Sequence, residues 1–282
     1  MKYLVELGVD INIEKSEIGT PIFIQCKNGN EAMLKYLVEH GADIDKYNDI
    51  GDTPLYVACE NGNEAVIKYL VEHGEDVNEE TENNGTSLYG ACLSGNVKIV
   101  KYLIELGADI NKETEYGKTP LFEACLKGNE AVVRYLVEYG ADINKETKYG
   151  ETPLFEACLS GNEVVVKYLV VLGADINKET EYGKTPLSEA CSNGNEVVEK
   201  YLVELGTNIN KENKRGKTPL CNACENGNET LIKYLVEFGA DINKEDESRH
   251  FPICYACEHG NEAAVKYLVE HGADLTKHKD IR

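Results

Sequence analysis

The sequence lacks any long apolar stretch. None of its hydrophobic runs approaches the roughly 20 residues that a membrane-spanning helix needs, and its first residues lack the apolar segment of a secretory signal peptide. These two absences argue against insertion into a membrane and against export. We therefore expect a soluble protein located in the cytoplasm.

Basic residues are few relative to acidic ones. The 282 residues include 29 Lys and Arg against 50 Asp and Glu, which gives a formal net charge of -21 at pH 7. Contacts from Lys and Arg provide much of the affinity for nucleic-acid phosphates and for anionic lipid surfaces. The composition therefore disfavours nucleic acids and membranes as partners and predicts an acidic surface.

Proline is also scarce, and its positions reveal how the chain is organised. All seven prolines are separated by 33 residues or a multiple of 33. They are Pro21, Pro54, Pro120, Pro153, Pro186, Pro219 and Pro252, and Ser87 occupies the vacant position. Tyrosines from Tyr3 to Tyr267 keep the same period without a gap. A fixed period of this length is typical of stacked supersecondary units, and because no linker or low-complexity segment interrupts it, we expect one elongated domain.

The segment 116–148 shows how one period predicts structure. Thr119 followed by Pro120 is typical of a helix N-cap and first helical position, where the missing N–H of proline is harmless. This first helix, helix A, is predicted to end at Gly128. Asn129 is then predicted to cap a second helix, helix B, whose apolar residues recur with helical spacing. Helix B is predicted to end near Gly140, before a polar hairpin.

Three motifs of this segment recur with variations across residues 17–280: Gly117-Lys118-Thr119-Pro120-Leu121, Gly128-Asn129 and Gly140-Ala141-Asp142-Ile143-Asn144. On these motifs the chain resembles the ankyrin-repeat family. The resemblance implies an all-α solenoid of stacked helix–turn–helix units with hairpin loops. It also implies a concave surface, formed by hairpin tips and A helices, that usually binds other proteins. The corresponding division is a partial repeat at 1–16 and eight repeats at 17–49, 50–82, 83–115, 116–148, 149–181, 182–214, 215–247 and 248–280.

The repeat 83–115 departs most from the pattern. It has Ser87 in place of proline, and Gly90 lies inside its A helix. A glycine within a helix costs about 1 kcal/mol relative to alanine. We therefore predict that this is the least stable internal repeat.

Successive repeats near the middle of the chain carry the candidate protein contacts. On each A helix the core takes a leucine, an alanine and a cysteine. The opposite face carries a second leucine in three consecutive repeats and a glutamate in three overlapping ones, and three hairpin tips carry a tyrosine. The candidates are Leu93, Leu126, Leu159, Tyr116, Tyr149, Tyr182, Glu123, Glu156 and Glu189. Exposed leucine and tyrosine in one groove are typical of the apolar centre of an interface. Two alternatives stay open: duplication of one repeat would copy these residues without selection for contact, and the tip tyrosines would then simply pack on the neighbouring hairpins.

No set of residues predicts catalysis. The histidines are scattered and form no recognisable nucleophile–base pair. Cys221-x-x-Cys224 and Cys254-x-x-Cys257 superficially resemble a four-cysteine zinc site, but the second cysteine of each pair belongs to the periodic series and is expected to pack in the core. We therefore expect no enzymatic activity and no catalytic, cofactor-binding or metal-binding residues.

These observations together predict a non-catalytic scaffold for protein–protein interaction. Its concave, acidic groove is expected to bind a protein or peptide through apolar and basic side chains of the partner. The alternative is a structural spacer segment of a larger repeat protein, without a dedicated groove partner. Because Met1-Lys2-Tyr3-Leu4 falls halfway through a predicted B helix, we expect an uncapped N-terminal end, and hence either a monomer or self-association through that end.

Overall fold

The computed structural model describes residues 5–13 and 20–277. In these residues there is no strand, and sixteen α-helices lie wholly within them, so the predicted all-α repeat fold is confirmed. The chain divides into two compact units, which we call unit 1 (residues 1–142) and unit 2 (residues 143–282). The predicted half-helix at residues 1–4 lies outside the described residues, and the repeat boundaries stay a prediction.

The helices alternate between A and B types along each unit. In unit 1 they are α1 Pro21–Asn28, α2 Glu31–Glu39, α3 Pro54–Glu60, α4 Glu64–Glu72, α5 Ser87–Ser94, α6 Val97–Glu105, α7 Pro120–Leu126 and α8 Glu130–Glu138. In unit 2 they are α9 Pro153–Ser160, α10 Glu163–Val171, α11 Pro186–Asn193, α12 Glu196–Glu204, α13 Pro219–Asn226, α14 Glu229–Glu237, α15 Pro252–Glu258 and α16 Glu262–Glu270. Across the described part of the chain, no helix combines the length and apolarity that crossing a membrane requires.

The A helices, which have odd numbers, begin at the periodic proline or at Ser87. Thr53 caps α3 through its hydroxyl, which accepts a hydrogen bond from the backbone N–H of Tyr56 at 3.1 Å. Thr119 occupies the predicted N-cap position of α7, but its side chain makes no capping hydrogen bond. The start of α7 is therefore better explained by Pro120, whose fixed φ already suits the first helical position.

The B helices, which have even numbers, follow a periodic asparagine. In α2 the side chain of Asn30 accepts a hydrogen bond from the N–H of Met33 at 3.1 Å, which is an N-cap of the predicted kind. The prediction that Asn129 caps α8 through its side chain is wrong. Its amide nitrogen instead donates to the carbonyl of Cys92 in the preceding repeat, at 3.1 Å. The same position can therefore stabilise its own helix or tie two repeats together.

The core of each unit is built from the apolar faces of its stacked helix pairs. In α7 and α8 the predicted core residues Leu121, Cys125, Val133 and Leu136 are fully buried. Nine of the ten cysteines are buried, and Cys257 is partly buried, so their predicted packing role is confirmed. Burial raises the pKa of the core thiols well above its ordinary value, as at Cys92, and so keeps them protonated and unreactive.

The periodic tyrosines lie at the edges of the B helices. In unit 1 the ammonium of Lys35 sits 5.5 Å from the centre of the Tyr69 ring. In unit 2 Lys167 sits 5.2 Å from the Tyr201 ring. Each pair joins neighbouring B helices through a cation–π contact. The predicted packing role is therefore confirmed for the tyrosines that the structure describes.

Hairpins of neighbouring repeats are joined by a second asparagine. In unit 1 the Nδ2 of Asn111 donates to the carbonyl of Gly140 at 3.0 Å, while its Oδ1 accepts from the N–H of Asp142 at 3.0 Å. Asn210 makes the same two bonds in unit 2. Asn177 occupies this position too, but within the described residues its side chain makes neither bond, and it borders a polar cavity of about 280 Å³. One hairpin joint of unit 2 is therefore looser than the others.

Each unit contains one buried carboxyl group whose pKa is strongly raised. Glu199 of unit 2 is fully buried in α12, where the two preceding repeats have Val133 and Val166, and neither carboxyl oxygen has a hydrogen-bond partner. Burial raises the pKa of Glu199 to about 8. Glu75 of unit 1 stands where six of the other repeats have alanine, and burial, aided by the nearby Asp45 carboxylate, raises its pKa to about 8. Both groups favour the protonated form in the folded chain.

Candidate protein-binding face

The hairpin tips of unit 2 form a continuous row. Their tip residues are Tyr149, Tyr182, Arg215 and Ser248, spaced by the repeat period. The carbonyl of Tyr149 accepts a hydrogen bond from the next hairpin at 2.7 Å, that of Tyr182 at 2.8 Å and that of Arg215 at 3.0 Å. Backbone hydrogen bonds thus fix the tips in register and leave their side chains available for other contacts.

The tip tyrosines are exposed, as predicted. In unit 2 Tyr149 is 38% exposed and Tyr182 is 57% exposed, and in unit 1 Tyr116 is 52% exposed. The rings of Tyr149 and Tyr182 are stacked with their centres 6.2 Å apart. Each ring therefore packs partly on its neighbour and still offers a large aromatic surface to solvent.

The candidate leucines lie at the C-terminal ends of their A helices. Leu93 and Leu126 are in unit 1, Leu159 is in unit 2, and each is half-buried. Their positions agree with an apolar surface beside the tips of the same unit. The exposed surface of these leucines is smaller than the sequence pattern suggested, because only the last turn of each short A helix reaches solvent.

The expectation that the candidate glutamates are exposed is wrong. Glu123, Glu156 and Glu189 are each more than nine-tenths buried. Oε2 of Glu123 accepts a hydrogen bond from the hydroxyl of Tyr89 on the neighbouring A helix at 2.9 Å, and Oε2 of Glu189 lies 3.0 Å from the ammonium of Lys184. The sequence pattern indicates one packed face and one free face on each A helix. Side chains from the neighbouring helix and hairpin cover the second face as well.

Sequence reasoning missed a cleft in unit 1. This cleft of about 790 Å³ lies between the first two A helices and the hairpin tip that joins their repeats. Its apolar lining includes Phe23, Ile24 and Ile50, and Ile50 is 68% exposed. Its rim carries the carboxylates of Asp49, Asp52 and Glu60. The signal was available, because Ile50 occupies the position that tyrosine takes in three later repeats.

The candidate residues offer contacts rather than reactive groups. The cysteines closest to these faces are core residues, and burial raises their pKa, as at Cys158 in unit 2. Among residues 5–13 and 20–277, no three His, Cys, Asp or Glu side chains are grouped so that they could hold a metal ion. The chemistry on offer is therefore burial of apolar surface, hydrogen bonding and charge pairing.

Comparison with known proteins identifies the family. The model of the ankyrin repeats family matches residues 1–81, 78–147, 144–213 and 200–279, so the chain belongs to that family. The structure is similar to the crystal structure of the human ASB11 ankyrin repeat domain, with a TM-score of 0.71 and 30% sequence identity, covering 79% of this chain and 99% of that one. A search of curated proteins gives no significant match. Ankyrin repeats are generally protein–protein interaction modules, and this fold is typically non-catalytic.

Proposed function

We propose that the chain is a non-catalytic cytoplasmic scaffold that binds segments of partner proteins along its hairpin tips and the exposed ends of its A helices. The observation that supports this best is the stacked pair of exposed tyrosines, Tyr149 and Tyr182. Tyrosine is enriched among the residues that contribute most to binding, and a side chain already held by a neighbouring ring loses little conformational freedom when a partner covers it.

The leucines extend the contact surface within each unit. Leu93 and Leu126 of unit 1 and Leu159 of unit 2 supply half-buried apolar surface at the ends of their helices. The glutamates contribute from behind this surface by holding neighbouring side chains, as Glu123 holds the hydroxyl of Tyr89. In this proposal the partner contacts the leucines and tyrosines, and the buried carboxylates keep the face rigid.

The cleft of unit 1 suits a partner segment with apolar and basic side chains. An apolar side chain would fill the space against Phe23 and Ile50, and Lys or Arg on either side would pair with Asp49 and Glu60. Charge pairing at such a rim raises the association rate and the selectivity more than the final affinity. This is the acidic part of the proposed binding surface.

The experiment begins with capture of partners from an extract of the source cells, followed by calorimetric titration of a purified partner. The test variant is Tyr149→Ser with Tyr182→Ser. The matched control is Val171→Ser, which removes an apolar side chain that is 79% exposed on helix α10, away from the hairpin tips. We expect at least a tenfold loss of affinity in the double variant, unchanged affinity in the control, and similar thermal unfolding for all three proteins.

A structural spacer is the second candidate. The stacking of Tyr149 on Tyr182 is compatible with it, because a purely structural row of tips would show the same contact. A spacer predicts that the double tip variant loses thermal stability and retains every captured partner. The scaffold predicts the reverse, so the same two measurements separate the candidates.

A further inference from the structure

The basic side chains of unit 2 are distributed unevenly between paired and unpaired groups. Nine lysines lie within 4 Å of a carboxylate: Lys167, Lys178, Lys184, Lys200, Lys211, Lys217, Lys233, Lys244 and Lys266. Lys145 also has an interaction partner. Among the described side chains of this unit, those that form no ion pair are Lys148, Lys214, Arg215 and Arg249, and all four are exposed at hairpin tips. Within the described part of unit 2, the cations that form no ion pair thus lie at the hairpin tips.

The order along this row is from aromatic to basic. Backbone hydrogen bonds hold the tips in the sequence Tyr149, Tyr182, Arg215 and then the Ser248–Arg249 turn. Exposed carboxylates occur on the same tips, at Glu181 and Glu247. The last two tips carry three exposed cations that form no ion pair, Lys214, Arg215 and Arg249, beside the exposed carboxylates of Glu245 and Glu247 and the buried carboxylate of Asp246. The described cations of unit 2 that form no ion pair are therefore concentrated at the C-terminal end of the row, and two of them are guanidinium groups.

Arg249 has an unusual backbone conformation. Its φ is 64°, in the left-handed region, where the four preceding repeats have glycine. A residue with a Cβ pays about 1 kcal/mol or more in this conformation. Local strain of this kind persists where the surrounding structure enforces it and is concentrated at functional sites. Arg249 forms no ion pair in the folded chain that offsets this cost.

We infer that the unit 2 row binds an extended, acidic segment of a partner protein, with apolar or aromatic side chains against Tyr149 and Tyr182 and carboxylates against Arg215 and Arg249. This inference rests on the proposed scaffold function and names the chemistry of one partner. Guanidinium groups pair with carboxylates through two parallel hydrogen bonds, which fixes the direction in which the segment lies. The overall charge of -21 repels long polyanions such as nucleic acids more strongly than it repels a short segment with a few carboxylates.

The test uses the full chain and a displayed library of random twelve-residue peptides. Enriched peptides are sequenced, synthesised with a fluorescent label and titrated by anisotropy. The test variant is Arg215→Ser with Arg249→Gly, which introduces the residues found at the corresponding positions of neighbouring repeats. The matched control is Lys167→Gln with Lys233→Gln, which removes the same charge from helices α10 and α14. A single-stranded DNA of twenty nucleotides is titrated in parallel.

We expect peptides enriched in Asp and Glu beside aromatic or aliphatic residues, at least a tenfold loss of affinity in the Arg215/Arg249 variant, and less than a twofold change in the lysine control. Enrichment of basic or uncharged peptides, or acidic peptides that bind the Arg215/Arg249 variant equally well, overturns the inference and leaves the scaffold function standing. DNA binding tighter than that of the enriched peptides also overturns it. Failure to enrich any peptide counts against the scaffold function itself.

Discussion

The two units share the same helical core and hairpin links and differ in the side chains that they expose. In both, stacked helix pairs bury the same leucine, alanine and cysteine positions, and backbone hydrogen bonds link the hairpins. Unit 1 has an apolar cleft with a carboxylate rim at Asp49 and Glu60, whereas unit 2 has a row that passes from Tyr149 to Arg215 and Arg249. The comparison teaches that stacking constrains the core of each repeat and leaves the tip side chains free to differ.

The largest expected effect concerns the buried carboxyl group of raised pKa in each unit, Glu75 in unit 1 and Glu199 in unit 2. Because the pKa of Glu199 is about 8 in the folded chain and 4.5 as a free side chain, folding takes up a proton and stability falls as the pH rises from about 4.5 to about 8. Each pKa unit corresponds to about 1.4 kcal/mol, so Glu199→Val should stabilise unit 2 at pH 8 by more than about 2 kcal/mol. Denaturant unfolding at pH 5 and pH 8 measures this difference.

The same experiment on Glu75→Ala sharpens the comparison between units. Glu75 retains some exposure, and only its Oε1 is both buried and without a hydrogen-bond partner, so we expect Glu75→Ala to stabilise unit 1 by a smaller amount. Glu204→Gln, an exposed position on α12, serves as the control and should leave the pH dependence unchanged. Equal pH dependence in Glu199→Val and the unmodified chain would contradict the assignment of Glu199.

The next effect compares the hairpin joints. Asn111→Ala removes two hydrogen bonds that join repeats in unit 1, each worth about 1 kcal/mol, so we expect a loss of about 2 kcal/mol. Asn177→Ala at the looser joint of unit 2 should cost less than about 0.5 kcal/mol, because surface changes that break no contact have effects of this size. Thermal unfolding of both variants gives the comparison. A similar loss in both would show that these bonds are not what holds the joints.

A smaller effect concerns Gly90, which the sequence suggested would weaken its repeat. A Cβ at this position would lie 3.1 Å from the backbone oxygen of Tyr56 on the neighbouring A helix. The glycine therefore permits close packing of α3 and α5. We expect Gly90→Ala to lose about 1 kcal/mol, against the gain of about 1 kcal/mol that helix propensity alone predicts. Equilibrium unfolding in urea shows whether Gly90→Ala lowers or raises the stability of the chain.

The smallest effect on stability concerns Arg249. Arg249→Gly relieves the left-handed conformation, so we expect unchanged stability or a gain of up to about 1 kcal/mol, in contrast to its large effect on peptide binding. Arg249→Ala is the comparison variant, because it removes the charge and keeps a Cβ. Greater stability of the alanine variant than of the glycine variant, measured by calorimetry, would contradict the strain argument.

The helix starts and core positions could largely be predicted from the sequence, whereas the identity of the exposed side chains could not. The helix starts at Pro120 and the core positions of α7 and α8 follow from local rules of capping and periodicity, which act within a few residues. The burial of Glu123 depends on Tyr89, which is 34 residues away, and the bond from Asn129 depends on Cys92, at a similar distance. Such contacts between repeats decide which side chains reach solvent. Glu199 is a third case. The sequence shows that it lies in the apolar stripe of its helix, but not that its carboxyl oxygens lack hydrogen-bond partners.

The hydrogen bonds that join successive tips have a practical consequence for engineering. Since these bonds use only the main chain, exchanging a tip side chain leaves the joint between hairpins intact. Specificity could then be transplanted by swapping single residues between repeats, with no redesign of the interior. Within unit 2, a family of variants that differ only at positions 149, 182 and 215 would form a ready set of binders with graded preferences.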